Sequence, residues 1–447
     1  MVLAAGRGQR MAGALPKVLQ PLAGQPLVAH VVTTLETLQP HDLVVVAGLH
    51  KEAIAAALPS QARIVIQPEP RGTGDAARVG LEGLEATGVA LIALADVPLI
   101  TAASHRQAVH AAASGAVALL TATLPNPTGY GRIVRHTHGE VRAIIEERAA
   151  DPRQKTIDEI FVGGLAAPAA LLLDWLERLE PQQGEYLLTD VVALARHDGI
   201  PVVAIAIPAE EACGVNDQTQ LAHAERIMQR RIAQELMQRG VRLADPARLD
   251  VRGQVTTGRN VTLDVGVVLE GQVRLEDDVH IGPYVVIRDS IIGAGSTILP
   301  FSLVEEATLQ QGVRVGPMAR LRPGTTLGDG VKVGNFVEIK ASILHQQVSA
   351  NHLSYIGDAV VGAASNIGAG TITCNYDGRT KHRTTIGERV FVGSGTELVA
   401  PVTLGDEATI AAGSTVTHDV PAASLCVART RQRIIPGWAR RALRRKG

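Results

Sequence analysis

From Leu249 onward an aliphatic side chain returns at every sixth position. Counting in sixes gives Leu249, Val255, Val261, Val267, Val273, Val279, Val285, Ile291, Thr297, Leu303, Leu309, Val315, Leu321, Leu327, Val333 and Ile339, and among these only Thr297 is not aliphatic. A glycine often follows, as at Gly316, Gly328 and Gly334, and a small or branched residue often stands four places on, as at Val313, Ala319 and Val331. A period of six is far from helical spacing. It predicts a solenoid in which each hexad supplies one flat face and its corner, and three hexads close a triangular coil. The period resumes at Ile386, Val392, Leu398, Leu404, Ile410 and Val416. Breaks in phase at about 344–360 and 373–385 predict loops pushed out of the coil, where functional groups concentrate.

The first half of the chain follows another rule. Short apolar runs at Leu43–Ala47, Arg63–Ile66, Leu91–Ala95, Val117–Leu120 and Val202–Ile207 alternate with amphipathic or Ala-rich stretches such as Leu27–Leu38 and Asp75–Leu84. This predicts an α/β, Rossmann-like domain over residues 1–216 with a mainly parallel sheet, its ligands at the carboxyl ends of strands. Asp217 as N-cap, then Leu221, Ala224, Met228, Ile232 and Leu236 at helical spacing, then Gly240, predict a linker helix over 217–240. The solenoid occupies 241–447.

Composition narrows the class. A formal net charge of -1 gives no general attraction to nucleic acid or anionic membrane, so any phosphate chemistry must use local cations. Aromatics are 2% of the chain, so its apolar mass is Ala, Val, Leu and Ile, which suits repeated coils. Cys213, Cys374 and Cys426 are far apart and form no metal or disulfide spacing; with no secretory pattern at the start and no apolar run long enough to span a bilayer, a reducing cytoplasm is expected.

Candidate chemistry begins at Leu3-Ala4-Ala5-Gly6-Arg7-Gly8-Gln9-Arg10-Met11, followed by Pro16-Lys17. Glycines after a short strand let backbone N–H groups approach phosphate, with Arg10 and Lys17 adding charge. Asp96, directly after an apolar strand, is placed to hold a hard divalent cation. Further on come Gln67-Pro68-Glu69 with Gly72-Thr73-Gly74, Pro127-Thr128-Gly129-Tyr130-Gly131-Arg132, Gln183-Gly184-Glu185-Tyr186 and Gly214-Val215-Asn216. The second half offers Arg322, Lys340, Asn351-His352-Leu353-Ser354-Tyr355, Asn366, Thr373-Cys374-Asn375-Tyr376-Asp377-Gly378 and Lys381.

Taken in order, these motifs resemble the bifunctional N-acetylglucosamine-1-phosphate uridyltransferase/glucosamine-1-phosphate N-acetyltransferase family over nearly the whole chain. The resemblance implies a nucleotidyltransferase head and a left-handed parallel β-helix tail of hexapeptide repeats. In the head it implies UTP contacts at Leu3, Ala4, Ala5, Gly6, Arg10, Lys17, Gln67, Gly72 and Thr73, contacts to N-acetylglucosamine-1-phosphate at Gly131, Glu146 and Asn216, and Mg²⁺ on Asp96 and Asn216. The implied reaction is attack by a sugar-phosphate oxygen on the α-phosphorus of UTP. In the tail it implies that Arg322, Lys340, Tyr355, Asn366 and Lys381 hold glucosamine-1-phosphate and that His352 is the general base. Asn375 is expected to orient the amine or the acyl carbonyl. Asn375, Tyr376, Ser394, Ala412 and Arg429 would contact acetyl-CoA. A homotrimer is implied, with no nucleic-acid partner and no membrane span.

Two positions keep an alternative open. Ala95 precedes Asp96 where the family usually has Gly, and Phe161 stands where it usually has a sugar-contacting Asn; an amide's hydrogen bonds are beyond a phenyl ring. On that alternative only acetyl transfer persists, and the head is a degenerate or regulatory module.

Overall fold

The computed structural model describes residues 1–6, 11, 15–58 and 62–438. The chain divides into two compact units, Met1–Arg231 and Ile232–Gly447.

The first unit is built on one sheet of strands β1 (Val2–Ala4), β2 (Val44–Ala47), β3 (Arg63–Ile66), β4 (Val89–Leu94), β5 (Val117–Thr123), β6 (Gly131–Arg135), β7 (Val141–Ile145), β8 (Glu159–Pro168) and β9 (Val202–Ala206). Their order is β9-β5-β8-β4-β1-β2-β3, with β6 bridging β8 and β7. Helices α1 (Leu27–Glu36), α2 (Lys51–Ala56), α3 (Thr73–Leu81), α4 (Ala102–Ala113), α5 (Ala169–Glu177) and α6 (Val191–His197) accompany it. β1 is short but central. Its three residues are buried and run parallel to β2 on one side and β4 on the other. The carboxyl ends of β1 and β4, carrying Ala5–Gly6 and Asp96, therefore emerge at one edge.

The sheet departs from the mainly parallel expectation. β8 runs antiparallel to β4 and β5, and β6 and β7 form an antiparallel hairpin beside it. No apolar alternation announces β8, because small residues and a register break between Phe161 and Leu165 replace it.

Helix α7 (Gln218–Gln238) follows. The Asp217 carboxylate accepts from the Gln220 N–H at 2.8 Å, and Val241 N–H donates to the Leu236 carbonyl past a left-handed Gly240. Ala224 and Ile227 pack into a cluster with Leu27, Leu99 and Val215, while Ala233 and Leu236 belong to the solenoid core.

The second unit is a left-handed β-helix. One ladder of parallel two- to four-residue strands runs Leu263, Ile281, Ile298, Val315, Val333, Ala350, Ile367, Val392, Ile410, Cys426; the other two sides form a second continuous sheet. Each side turns two residues inward, two positions apart, as strand geometry dictates.

The strict count in sixes needs a correction here. Ile291, predicted inward, is 43% exposed, while Ile292 is fully buried, and Ile298 and Val304 likewise replace Thr297 and Leu303 as the inward residues. The step from Ile287 to Ile292 is five residues, and so is that from Val304 to Leu309. A one-residue slip reverses which residue of a strand faces in. At the short corner Ser290 is buried, and its hydroxyl accepts from the Ala307 N–H of the next coil. The expected loop at 344–360 is absent for the same reason: strands Ser349–His352, Tyr355–Gly357 and Ala359–Val361 continue the coil through further five-residue steps. The break at 373–385 is a true excursion, with Asn375–Arg383 leaving the coil between strands Ile372–Cys374 and Thr384–Ile386.

Among the described residues no helix is long and apolar enough to cross a membrane, and all three cysteines are free thiols.

Candidate functional site

At the head's carboxyl edge, the backbone brings distant motifs together. The Val215 N–H donates to the Asp96 carbonyl at 2.8 Å, which sets Asn216 beside Asp96. Tyr130 secures the same segment: its hydroxyl donates to the Ala212 carbonyl and accepts from the Gly214 N–H. Burial pushes that phenol's pKa up, so it stays protonated. Lys17, in the short helical turn Lys17–Leu19, pairs with the Asp96 carboxylate and donates to Asn216 Oδ1 at 3.1 Å. The site thus contains two hard oxygen donors around one cation. That donor set suits a divalent ion of the Mg²⁺ type, which keeps few protein ligands and completes its shell with water and phosphate.

A second group lies at the start of α3. Gln67 is buried, and its amide nitrogen donates to the Gly72 carbonyl and to the Asp75 carboxylate at 2.8 Å. Gly72 has φ 102°, and a Cβ there would collide with the Tyr186 backbone, with the Tyr186 nitrogen only 2.9 Å away. The Thr73 hydroxyl accepts from the Leu188 N–H, so the Gly184–Tyr186 motif clamps this turn. A third group is the hairpin: Gly131 opposes Phe161, and Glu146 accepts from the Thr189 hydroxyl at 3.0 Å. Phe161 is partly exposed there. Leu3 and Ala4 are buried in β1, so their contribution to a ligand is by backbone. Arg10 lies outside the described residues.

In the solenoid, outward side chains stack from coil to coil. One column reads Arg252, Glu270, Arg288, Glu305 and, by continuing register, Arg322, Lys340, then Gly357. Glu270 bridges Arg252 and Arg288, and Glu305 bridges Arg288 and Arg320. The alternation of sign stops at Arg322 and Lys340. Around that point the structure gathers Tyr355, Asp358, Asn375 and Lys381. Lys340 Nζ is 3.4 Å from the Asp358 carboxylate, and Asn375 Nδ2 lies 2.5 Å from the same carboxylate and 3.4 Å from the Tyr355 hydroxyl. Arg322 also donates to Glu338 at 2.8 Å. The Lys381 ammonium is held below the ordinary lysine range by the neighbouring Lys340 and, less, by the charge of Arg322. Such crowding of cations is relieved by a bound dianion.

The excursion that carries Lys381 is braced internally. The Asp377 carboxylate accepts from the Arg379 and Thr380 N–H groups and from His382, which holds it well below the usual carboxylate range. Tyr376 is exposed on this loop, its hydroxyl donating to the Gly378 carbonyl.

His352 stands on the other side of the corner, two coil positions before Ser354, and is exposed. Its Nδ1 is 3.1 Å from Asn335 Oδ1 on the preceding coil. An amide oxygen there accepts a hydrogen bond from Nδ1–H, which places the lone pair of the neutral ring on Nε2. Asn366 lies on that same sheet, between Ser349 and Phe391. Ser394 and Ala412 follow on successive coils, and Arg429 donates to the Ala412 carbonyl at 2.6 Å. Three groups escaped the sequence reading: Tyr130 stands there only within a motif, and Asn335 and Asp358 are not singled out. Nothing marks Asp358 in sequence, since a carboxylate is not a group expected inside a cluster of cations.

Comparison with known proteins agrees with this layout. Residues 1–160 match the MobA-like NTP transferase domain, and residues 383–418 match the hexapeptide repeat of succinyl-transferase. The bifunctional protein GlmU of Nitrosospira multiformis is 48% identical over 98% of this chain and 97% of its own. That of Stutzerimonas stutzeri is 51% identical over 98% of both. The chain belongs to the bifunctional GlmU family. The GlmU of Aromatoleum aromaticum, 48% identical, covers 100% of this chain and 99% of its own, so the match spans both units.

Proposed function

We infer that the chain makes UDP-N-acetylglucosamine in two steps: acetyl transfer from acetyl-CoA to glucosamine-1-phosphate, then uridylyl transfer from UTP to the N-acetylated product with release of pyrophosphate. The observation that carries this is the stacked cation cluster of Arg322, Lys340 and Lys381 beside Asn375, on a chain whose full-length relatives are bifunctional. Those relatives favour two activities over acetyl transfer alone.

In the tail, Arg322, Lys340, Lys381 and Tyr355 bind the sugar phosphate, and Asn366 contacts the sugar on the neighbouring side. The amine attacks the thioester carbonyl; an N–C bond forms, the C–S bond breaks, and the amine's proton passes to His352 Nε2 and from there to the leaving sulfur, so CoA departs as its thiol and the imidazole is neutral again. Tyr376, Ser394, Ala412 and Arg429 line the cofactor's path. No acyl-enzyme is needed, and burial and Glu397 push the Cys374 thiol up, away from thiolate chemistry.

In the head, the backbone of Leu3, Ala4, Ala5 and Gly6 approaches the phosphates with Arg10 and Lys17. Gln67, Gly72 and Thr73 frame the base, while Gly131 and Glu146 meet the sugar. Asp96 and Asn216 hold Mg²⁺, which when bound neutralises charge on the phosphates. The sugar phosphate is already anionic, so positioning and charge neutralisation suffice.

The protein is read as a cytoplasmic homotrimer. An exposed row of apolar corner residues, Tyr284, Phe301, Met318, Phe336 and Leu353, supports self-association. Sedimentation giving the mass of one 47.0 kDa chain would contradict it.

The test is a parallel assay of thiol release and pyrophosphate on one preparation. Asp96→Ala should abolish pyrophosphate formation from UTP and N-acetylglucosamine-1-phosphate and leave thiol release intact; loss of both would defeat the two-site reading.

A further inference from the structure

Asp358 is a carboxylate set among cations that, on the reading above, must receive a phosphate. A negative charge at that place weakens anion binding, so its presence calls for another use. It occupies a left-handed corner, φ 50°, with its backbone N–H on the Lys340 carbonyl of the preceding coil. Its carboxylate, about one-fifth exposed, reaches Lys340 and Asn375.

The consequence lies in the Asn375 amide. A primary amide offers two N–H donors and one carbonyl acceptor. A carboxylate accepts only, so Asn375 turns its nitrogen toward Asp358. The same nitrogen lies within 3.4 Å of the Tyr355 hydroxyl, whose oxygen takes the second N–H. Tyr355 reaches that point by lying across Gly357, where a Cβ would come within 2.7 Å of the ring carbon bearing the hydroxyl. Both donors are then engaged, and Asn375 meets a substrate with its carbonyl oxygen. A carbonyl accepts from an attacking amine and repels a thioester oxygen.

We propose that Asp358 is a positioning residue that fixes the Asn375 amide so that its oxygen, not its nitrogen, faces the reaction, which makes Asn375 a reader of the glucosamine amine rather than of the acetyl carbonyl. The same arrangement turns the Tyr355 O–H outward as a donor to phosphate. This rests on the acetyl-transfer reading.

The test uses the full chain. Asp358→Asn presents an amide that can donate or accept, so Asn375 loses its fixed sense. Thiol-release kcat should fall at least ten-fold, with KM for glucosamine-1-phosphate unchanged or lower because a like charge has gone. The exchanged pair D358N/N375D restores one donor–acceptor pair and an acceptor facing the amine; its kcat should recover to within about ten-fold of the parent. A raised KM at parental kcat in D358N would overturn the proposal, as would an exchanged pair no faster than D358N. If D358N does not fold, the exchanged pair is read alone, and a kcat more than 100-fold below the parent at parental KM overturns it. Absence of thiol release from the parent protein itself would instead defeat the acetyl-transfer reading.

Discussion

At the residue scale, the tail chemistry turns on one ring. Asn335 fixes the Nδ1 side of His352, so Nε2 is the basic nitrogen. His352→Ala should lower acetyl-transfer kcat by roughly 10²–10⁴-fold, the usual worth of a positioned general base. Pyrophosphate release should be unchanged, and KM for the sugar phosphate should move little, because its cations lie on the other side of the corner. Histidine, the lysines and Asn375 were legible because their residue types announce their chemistry. Asp358 and Tyr130 were not: one acts by orienting an amide and the other by tying down a segment 82 residues away, and such roles exist only in three dimensions.

At the element scale, the hexads disclosed the solenoid but not its exact phase. Around the first slip the residues beside the inward ones are aliphatic too, Ile291 next to Ile292 and Leu303 next to Val304, so a five-residue step leaves the apolar rhythm nearly intact while changing which residue is buried. Ile292→Ala should cost about 2–5 kcal/mol, as for a buried aliphatic truncation, whereas Ile291→Ala should stay near 0.5 kcal/mol. Equal losses in denaturant unfolding would place the slip elsewhere. In the head, β8 was missed because neither alternation nor flanking turns marked it. Helices α5 and α6 are joined by an acid-sensitive tie: Asp198 accepts from Arg178 and from the Trp175 indole, which hold its pKa down to about 2. A folded pKa below the unfolded value near 4 adds stability above that value and loses it as pH falls toward 2. Thermal midpoints of the head should therefore drop between pH 5 and pH 2.5 by less in Asp198→Asn than in the parent.

At the scale of the whole molecule, two compact units, with no buried cluster shared between them among the described residues, support two separable activities. A chain lacking residues 1–216 should keep acetyl transfer at close to the parental kcat, read by thiol release, and form no pyrophosphate. Inactivity of that fragment, with its strand signature preserved in circular dichroism, would mean the tail depends on the head.

The column from Arg252 to Glu305 pairs each positive rung with a negative neighbour, so along that stretch a visiting anion finds little net pull. Only where two like rungs adjoin does the surface advertise a vacancy for opposite charge. A ligand is thus addressed by a break in the alternation of an otherwise self-cancelling stripe, where Arg322, Lys340 and Lys381 outnumber the carboxylates of Glu338 and Asp358. Splicing an extra neutralised coil below Glu305 should carry the landing place one step along the prism with its selectivity intact.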